Sequence, residues 1–119
     1  MDDLLAEYQR ATVFFEAGDP RGAAALLEPI VAAEPANAGV RLLLARSYFH
    51  SAQLGRAEEQ LRILVDRDPT DHYARYVLGR TLERLSRPAE ALPHLRMASV
   101  MYPSDEYEET VRRVSAKVR

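Results

Sequence analysis

Three prolines divide this chain at equal intervals. Pro35, Pro69 and Pro103 stand 34 residues apart, and each is followed two positions later by Asn37, Asp71 or Asp105. Proline fixes its own φ and pushes the preceding residue out of the α region, so a helix must end before each one. Asn and Asp accept hydrogen bonds from the unpaired N–H groups of a first turn, so a new helix is expected after each. Within Asp68-Pro69-Thr70-Asp71, both carboxylates are therefore assigned to ending and capping helices and not to acid–base chemistry.

Other positions keep the same step. Ala23, Ala57 and Ala91 align, as do Leu27, Leu61 and Leu95. Ala11, Ala45 and Gly79 form a column of small residues, and Phe14, Tyr48 and Leu82 a column of large ones. A second, turn-like break falls near the middle of each period, at Gly18-Asp19-Pro20, Gln53-Leu54-Gly55 and Ser86-Arg87-Pro88. Pro20 and Pro88 then fall in the first turn of the next helix, where a missing N–H costs little. Each period is thus a helix, a short turn and a second helix, with the small columns allowing the two backbones to approach closely.

These columns and the closing prolines resemble the tetratricopeptide repeat family over roughly residues 4–105. The resemblance implies an all-α fold, an α-solenoid of stacked antiparallel helix pairs with about seven helices. The expected organisation is one domain over 1–119, with repeats 4–37, 38–71 and 72–105 and a capping helix over 106–119. Tyr107, Val111, Val114 and Val118 give that last segment one apolar stripe, and repeat arrays need such an end. Two departures stand out. The large aromatic that the family often places early in the first helix is replaced by Glu7, Arg41 and Arg75, and Pro29 falls inside a second helix, where it removes a hydrogen bond.

The chemistry-bearing inventory is thin. There is no cysteine, so thiolate metal sites and thiol nucleophiles are excluded. His50, His72 and His94 are 22 residues apart, which does not put two imidazoles on one helical face around a metal. His72 and His94 read as solvent or boundary residues. Ser47, Ser51 and Ser99 lack a histidine–carboxylate partner pattern, and the acidic pairs Asp2/Asp3, Glu58/Glu59 and Glu108/Glu109 diverge around a helix as solvated faces. The chain is expected not to be an enzyme, to need no cofactor or metal, and to have no small-molecule substrate. Its 16 basic and 18 acidic residues, net charge −2 and pI near 5.9 argue against a nucleic-acid partner, although Arg41, Arg46, Arg75, Arg80 and Arg84 supply local charge. No apolar run is long enough to span a membrane. With an acidic N-terminus unlike a signal peptide, a cytoplasmic location is expected, and the excess of arginine over a single lysine, Lys117, suggests a GC-rich, bacterial source.

What remains is a surface. The resemblance implies that the first helices line a concave groove that binds a peptide segment or helix of a partner protein. Steps of four and three place Tyr8, Thr12 and Phe15, then Leu42, Arg46 and Phe49, then Tyr76, Arg80 and Glu83 on that face, with His50, Tyr73 and Arg84 at its edges. Aromatics offer large contact area and arginine can clamp a carboxylate with two parallel bonds, so the expected ligand carries apolar anchors and acidic groups. Some members of the family grip a chaperone's C-terminal carboxylate with lysine, asparagine and arginine. The matching positions here are Tyr8, Thr12, Leu43, Tyr73 and Val77, which lack that charge. An alternative role is self-association, as a homodimer or scaffold, through the N-terminal edge at Leu4, Leu5 and Tyr8.

Overall fold

A computed structural model describes residues 3–118; Asp2 of the first acidic pair and Arg119 of the expected capping segment lie outside them. Among the described residues seven α-helices follow one another: α1 (Leu4–Glu16), α2 (Pro20–Ala33), α3 (Ala38–His50), α4 (Leu54–Arg67), α5 (His72–Arg84), α6 (Pro88–Met101) and α7 (Asp105–Ser115). No strand occurs among the described residues. The first helices begin at residues 4, 38 and 72, and their partners at 20, 54 and 88, so both keep the 34-residue step of the prolines. The chain divides into two compact units, Met1–Gln60 and Leu61–Arg119, with the boundary in sequence falling in α4.

Asn37 and Asp71 cap their helices as expected, each accepting from the backbone N–H three residues on, at 3.1 and 3.0 Å. Asp3, read from sequence as part of a solvated acidic pair, caps α1 in the same way at 3.1 Å. At α7 the structure departs from the reading. Ser104 is the cap, accepting from the Tyr107 N–H at 3.1 Å, and Asp105 is already the first helical residue. This helix therefore begins one residue early relative to its predecessors, and a serine next to proline captures the capping role.

The mid-period turns share one geometry. Gly18, Ala52 and Ser86, again 34 residues apart, all lie at positive φ (85°, 60° and 61°). In each case the next residue's N–H bonds back to the large-residue column, as Asp19 N to Phe14 O, Gln53 N to Tyr48 O, and Arg87 N to Leu82 O, at 2.8–2.9 Å. The residue at positive φ bonds to Phe15, Phe49 or Glu83 in turn. This is the left-handed Schellman cap. The second turn accordingly sits at Ser51-Ala52-Gln53, and Leu54 and Gly55 belong to α4. Pro20 and Pro88 each occupy the first helical position, and α2 runs through Pro29 with the proline exposed.

In the N-terminal half, α1 packs on α2 and α3 packs on α2. Ala11, Ala23 and Ala45 are fully buried at the close approaches, with Leu27, Ile30 and Leu44 filling the space around them. Tyr48 is nearly buried, and its hydroxyl donates to Glu28 of α2. In the C-terminal half, α6 packs between α5 and α7. Gly79 faces Leu95 so closely that an added Cβ would lie 2.5 Å from the leucine's Cγ and Cδ2. Leu78, Leu82 and Leu95 are fully buried in this half, each contributing about 1.5–3 kcal/mol.

The two arginines in the position of the family's early aromatic have a structural explanation. Arg41 is 6% exposed and donates to Pro35 O at 2.9 Å and to Gln60 Oε1 at 2.6 Å. Arg75 donates to Pro69 O at 2.8 Å and to His94 Nδ1 at 3.3 Å. Each guanidinium thus ties its own helix to the preceding proline and to the second helix. His94 is a half-buried acceptor, the boundary role of the two expected for it, and burial, then Arg75 and Arg62, hold its pKa below the usual histidine value.

Two substitutions test these seams by urea denaturation. Gly79→Ala is expected to lower stability by about 1–2 kcal/mol, since the clash with Leu95 outweighs the gain in helix propensity. Ser86→Gly is expected to raise it by up to about 1 kcal/mol, since the left-handed conformation penalises a Cβ.

Candidate functional site

The face expected to bind a partner can be followed within each half. In the N-terminal half, α1 presents Tyr8, Thr12 and Phe15, all partly exposed. The Thr12 hydroxyl donates to Tyr8 O at 3.0 Å, so it is spent on its own helix. Parallel to it, α3 presents Leu42 and Arg46, partly exposed, then Phe49, 8% exposed, and His50, exposed. Four of these side chains form one assembly. The Arg46 guanidinium lies 4.8 Å over the Phe15 ring, an attractive cation–π geometry. His50 meets Phe15 edge-on at 5.5 Å and Phe49 at 5.3 Å.

Two cavities bracket this face. One of about 390 Å³ opens where the starts of α1 and α3 meet the end of α2, with Leu5, Tyr8, Ile30 and Val40 among its walls. The other, of about 320 Å³, lies at the opposite end beside Phe15, Gly18, Pro20 and His50. Tyr8, Phe15 and His50 of the expected set therefore line open space, whereas Phe49 serves mainly as support beneath His50.

In the C-terminal half the expected face on α5 is largely engaged by α7. Tyr76 is 5% exposed and stacks on Tyr107 at 4.4 Å, with its hydroxyl within reach of Glu106 and Thr110. Arg80 donates to the same hydroxyl at 3.4 Å. Glu83 accepts from Arg113 at 2.8 and 3.0 Å and from Lys117 at 2.8 Å. Those bonds, Arg113 foremost, overcome the effect of burial and lower the Glu83 pKa to about 2. Tyr76 and Glu83 thus face a neighbouring helix and not an open groove. Tyr73 is partly exposed and Arg84 exposed.

His72, partly exposed at the start of α5, takes the boundary role of the two expected for it. Its ring stacks on Tyr102 at 4.4 Å and its Nδ1 lies 2.9 Å from the Tyr107 hydroxyl. Burial is the main cause that pushes the Tyr107 pKa up to about 12. The stripe on α7 is Tyr107, Thr110 and Val114, all buried, while Val111 is partly exposed and Val118 lies beyond the helix end. Sequence spacing could not reveal that Thr110 would join it, because its hydroxyl is satisfied by Glu106 O at 2.9 Å.

The Ser47 and Ser51 hydroxyls donate to backbone carbonyls four residues back, at 2.8 and 2.7 Å. Among the described residues no group of three or more His, Cys, Asp or Glu could hold a metal ion, and no helix is long and apolar enough to cross a membrane. Of the positions that would form the family's carboxylate clamp, Leu43 and Val77 are buried apolar residues.

Comparison with known proteins bears on this arrangement. The sequence profile of the tetratricopeptide repeat matches residues 14–81. No curated protein matches the chain by sequence. Among solved structures, the chain is similar to the first TPR of Spaghetti (RPAP3) bound to the HSP90 peptide SRMEEVD, at 19% identity and a TM-score of 0.90, covering 97% of this chain and 92% of that one. It is also similar to MamA from Desulfovibrio magneticus RS-1, at 17% identity and a TM-score of 0.91 over 97% and 66% of the two chains. A third is the type III secretion translocator chaperone SycD of Yersinia enterocolitica, at 18% identity and 0.80 over 97% and 80%. At these identities the likeness establishes the all-α fold.

The Glu83 cluster gives α7 a pH dependence. Because the folded pKa is depressed, its stabilisation is present above the ordinary carboxylate value near 4.5 and is lost as pH falls toward 2. Thermal melts between pH 5 and about 2 should fall more steeply for wild type than for Glu83→Gln, which removes the titrating group; parallel slopes would refute the assignment.

Proposed function

Because this chain belongs to the tetratricopeptide repeat family, we propose that it is a protein-interaction module whose α1–α3 face binds an extended segment of a partner protein. The observation that carries the reading is the assembly of Phe15, Arg46 and His50, with a cavity at either end of the face. A guanidinium packed against an aromatic ring is held in place before binding, so less rotamer entropy is lost when it grips a carboxylate. Partly exposed aromatics beside it supply the apolar contact that dominates hot spots. The ligand is therefore a segment with apolar anchors and acidic groups. Within the C-terminal half, taken by itself, Tyr73, Arg80 and Arg84 belong to this proposal as the partly or fully exposed side of α5, with Tyr76 and Glu83 of the same helix as supports packed against the α7 segment.

A second reading, self-association, is favoured by the exposure of Leu5 (64%) and Val13 (62%) on α1. Two exposed large apolar residues on one helix are a modest patch. Sedimentation at high micromolar concentration decides it, and a monomer there would dispose of it.

The primary reading is tested by crosslinked affinity capture with the wild type and with Arg46→Ala, each first shown to be helical and folded. Loss of Arg46 is expected to reduce recovery of the captured partner about tenfold, in line with removal of one hot-spot arginine. Equal recovery by both proteins would remove the main support for the α1–α3 face.

A further inference from the structure

Gly39 is a residue the fold does not require. It lies in the first turn of α3, at a φ open to any residue, and a Cβ placed there would meet only the Asn37 Oδ1, at an ordinary 3.5 Å. Glycine is among the poorest helix formers, so alanine would serve this helix better. At the same point of the 34-residue step the other first helices carry Leu5 and Tyr73. What the missing side chain does leave is space. Gly39 lines the cavity of about 390 Å³ whose apolar walls are Leu4, Leu5, Tyr8, Ile30 and Val40. Ile30 and Val40 are 2% and 5% exposed and form its floor, while Leu5 is 64% exposed at its mouth. Locally unfavourable choices of this kind mark functional positions.

Gly39 and Arg46 are seven residues apart on α3 and so share one face. Seven residues of helix rise about 10 Å, the reach of about three residues of extended chain. The cation over Phe15 and the apolar cavity thus form a two-point reader on one helix.

We infer that the Gly39 cavity takes a single large apolar side chain, aromatic or branched, from an extended peptide whose acidic residue about three positions away meets Arg46. This rests on the proposal that the α1–α3 face binds a partner segment, and it adds the sequence rule by which that segment is chosen. Charge complementarity sets the spacing and the open volume sets the anchor. The rim of the cavity is polar, with the Glu34 carboxylate held by the Asn37 Nδ2 at 3.3 Å. A second carboxylate at the anchor itself is disfavoured there by like charge.

The test is a random peptide library displayed on phage and selected on the immobilised wild-type chain, followed by fluorescence polarisation with a labelled peptide of the enriched sequence. Enriched peptides are expected to share a large apolar residue about three positions from Asp or Glu, in either direction. Gly39→Leu should weaken the labelled peptide at least about tenfold while its melting temperature stays at or above wild type, and Gly39→Ala should change affinity less than about twofold. Arg46→Ala should weaken that peptide about tenfold but leave unchanged a version with the acidic residue replaced by its amide. If Gly39→Leu binds as well as wild type while Arg46→Ala does not, the anchor cavity is wrong and the face survives. Enriched peptides without the acidic residue would overturn the two-point rule. No enrichment at all would overturn the α1–α3 face, and this inference with it.

Discussion

The structure depends on how near two helices can come. At Ala11, Ala23, Ala45, Ala57 and Ala91 nothing larger than a methyl group occupies the seam, and at Gly79 even that is absent. Dispersion falls steeply with separation, so a small residue at the crossing lets the larger ones beside it interdigitate at full contact. Leu27, Leu61 and Leu95 reach zero exposure in consequence. A pair seated that firmly leaves one face of the first helix uncommitted to the seam. That uncommitted face is where Tyr8, Phe15 and Arg46 stand.

The arginines at 41 and 75 show how a departure from a family pattern can be a substitution of one fastening for another. An aromatic would hold the first helix by apolar contact. Arg41 and Arg75 hold it by hydrogen bonds to the carbonyl of the preceding proline and to the second helix. A proline carbonyl between helices has no ladder partner, so a guanidinium is well suited to satisfy it. At the cost of desolvating a cation, the loop and both helices are joined at one point. Glu7 stands at the same step in α1 and pairs instead with Arg10 on its own exposed surface.

Much of the fold could be read from spacing alone. Proline followed by Asn or Asp marks helix starts at 38 and 72, and the alanine columns mark the seams, because both signals come from local backbone chemistry. The failures have equally local reasons. Asp105 and Ser104 are both competent caps, and only the backbone geometry after Pro103 chooses the serine. The turn at Ala52 carries no glycine to announce it. Helical phase gave Tyr76 and Glu83 of α5 the register that Tyr8 and Phe15 have on α1. Phase carries no information about what a later helix lays over the α5 face, and α7 brings Tyr107 and Arg113 there, with Lys117 just beyond its end. The arginine brackets were illegible because one acceptor of each is a backbone carbonyl, which leaves no mark in a sequence, and the other is a side chain 19 residues away.

The three left-handed caps at Gly18, Ala52 and Ser86 carry a consequence for how such a chain can change. Glycine, alanine and serine all adopt the same backbone there, held by the same pair of hydrogen bonds. Residue identity at the bend is thus loosely constrained. Residue number is not: one inserted residue would rotate the following helix by about 100° about its axis. Ala23, Ala57 or Ala91 would then leave the seam, and a larger neighbour would be driven into it. At these bends the chain can drift in composition but is locked in length.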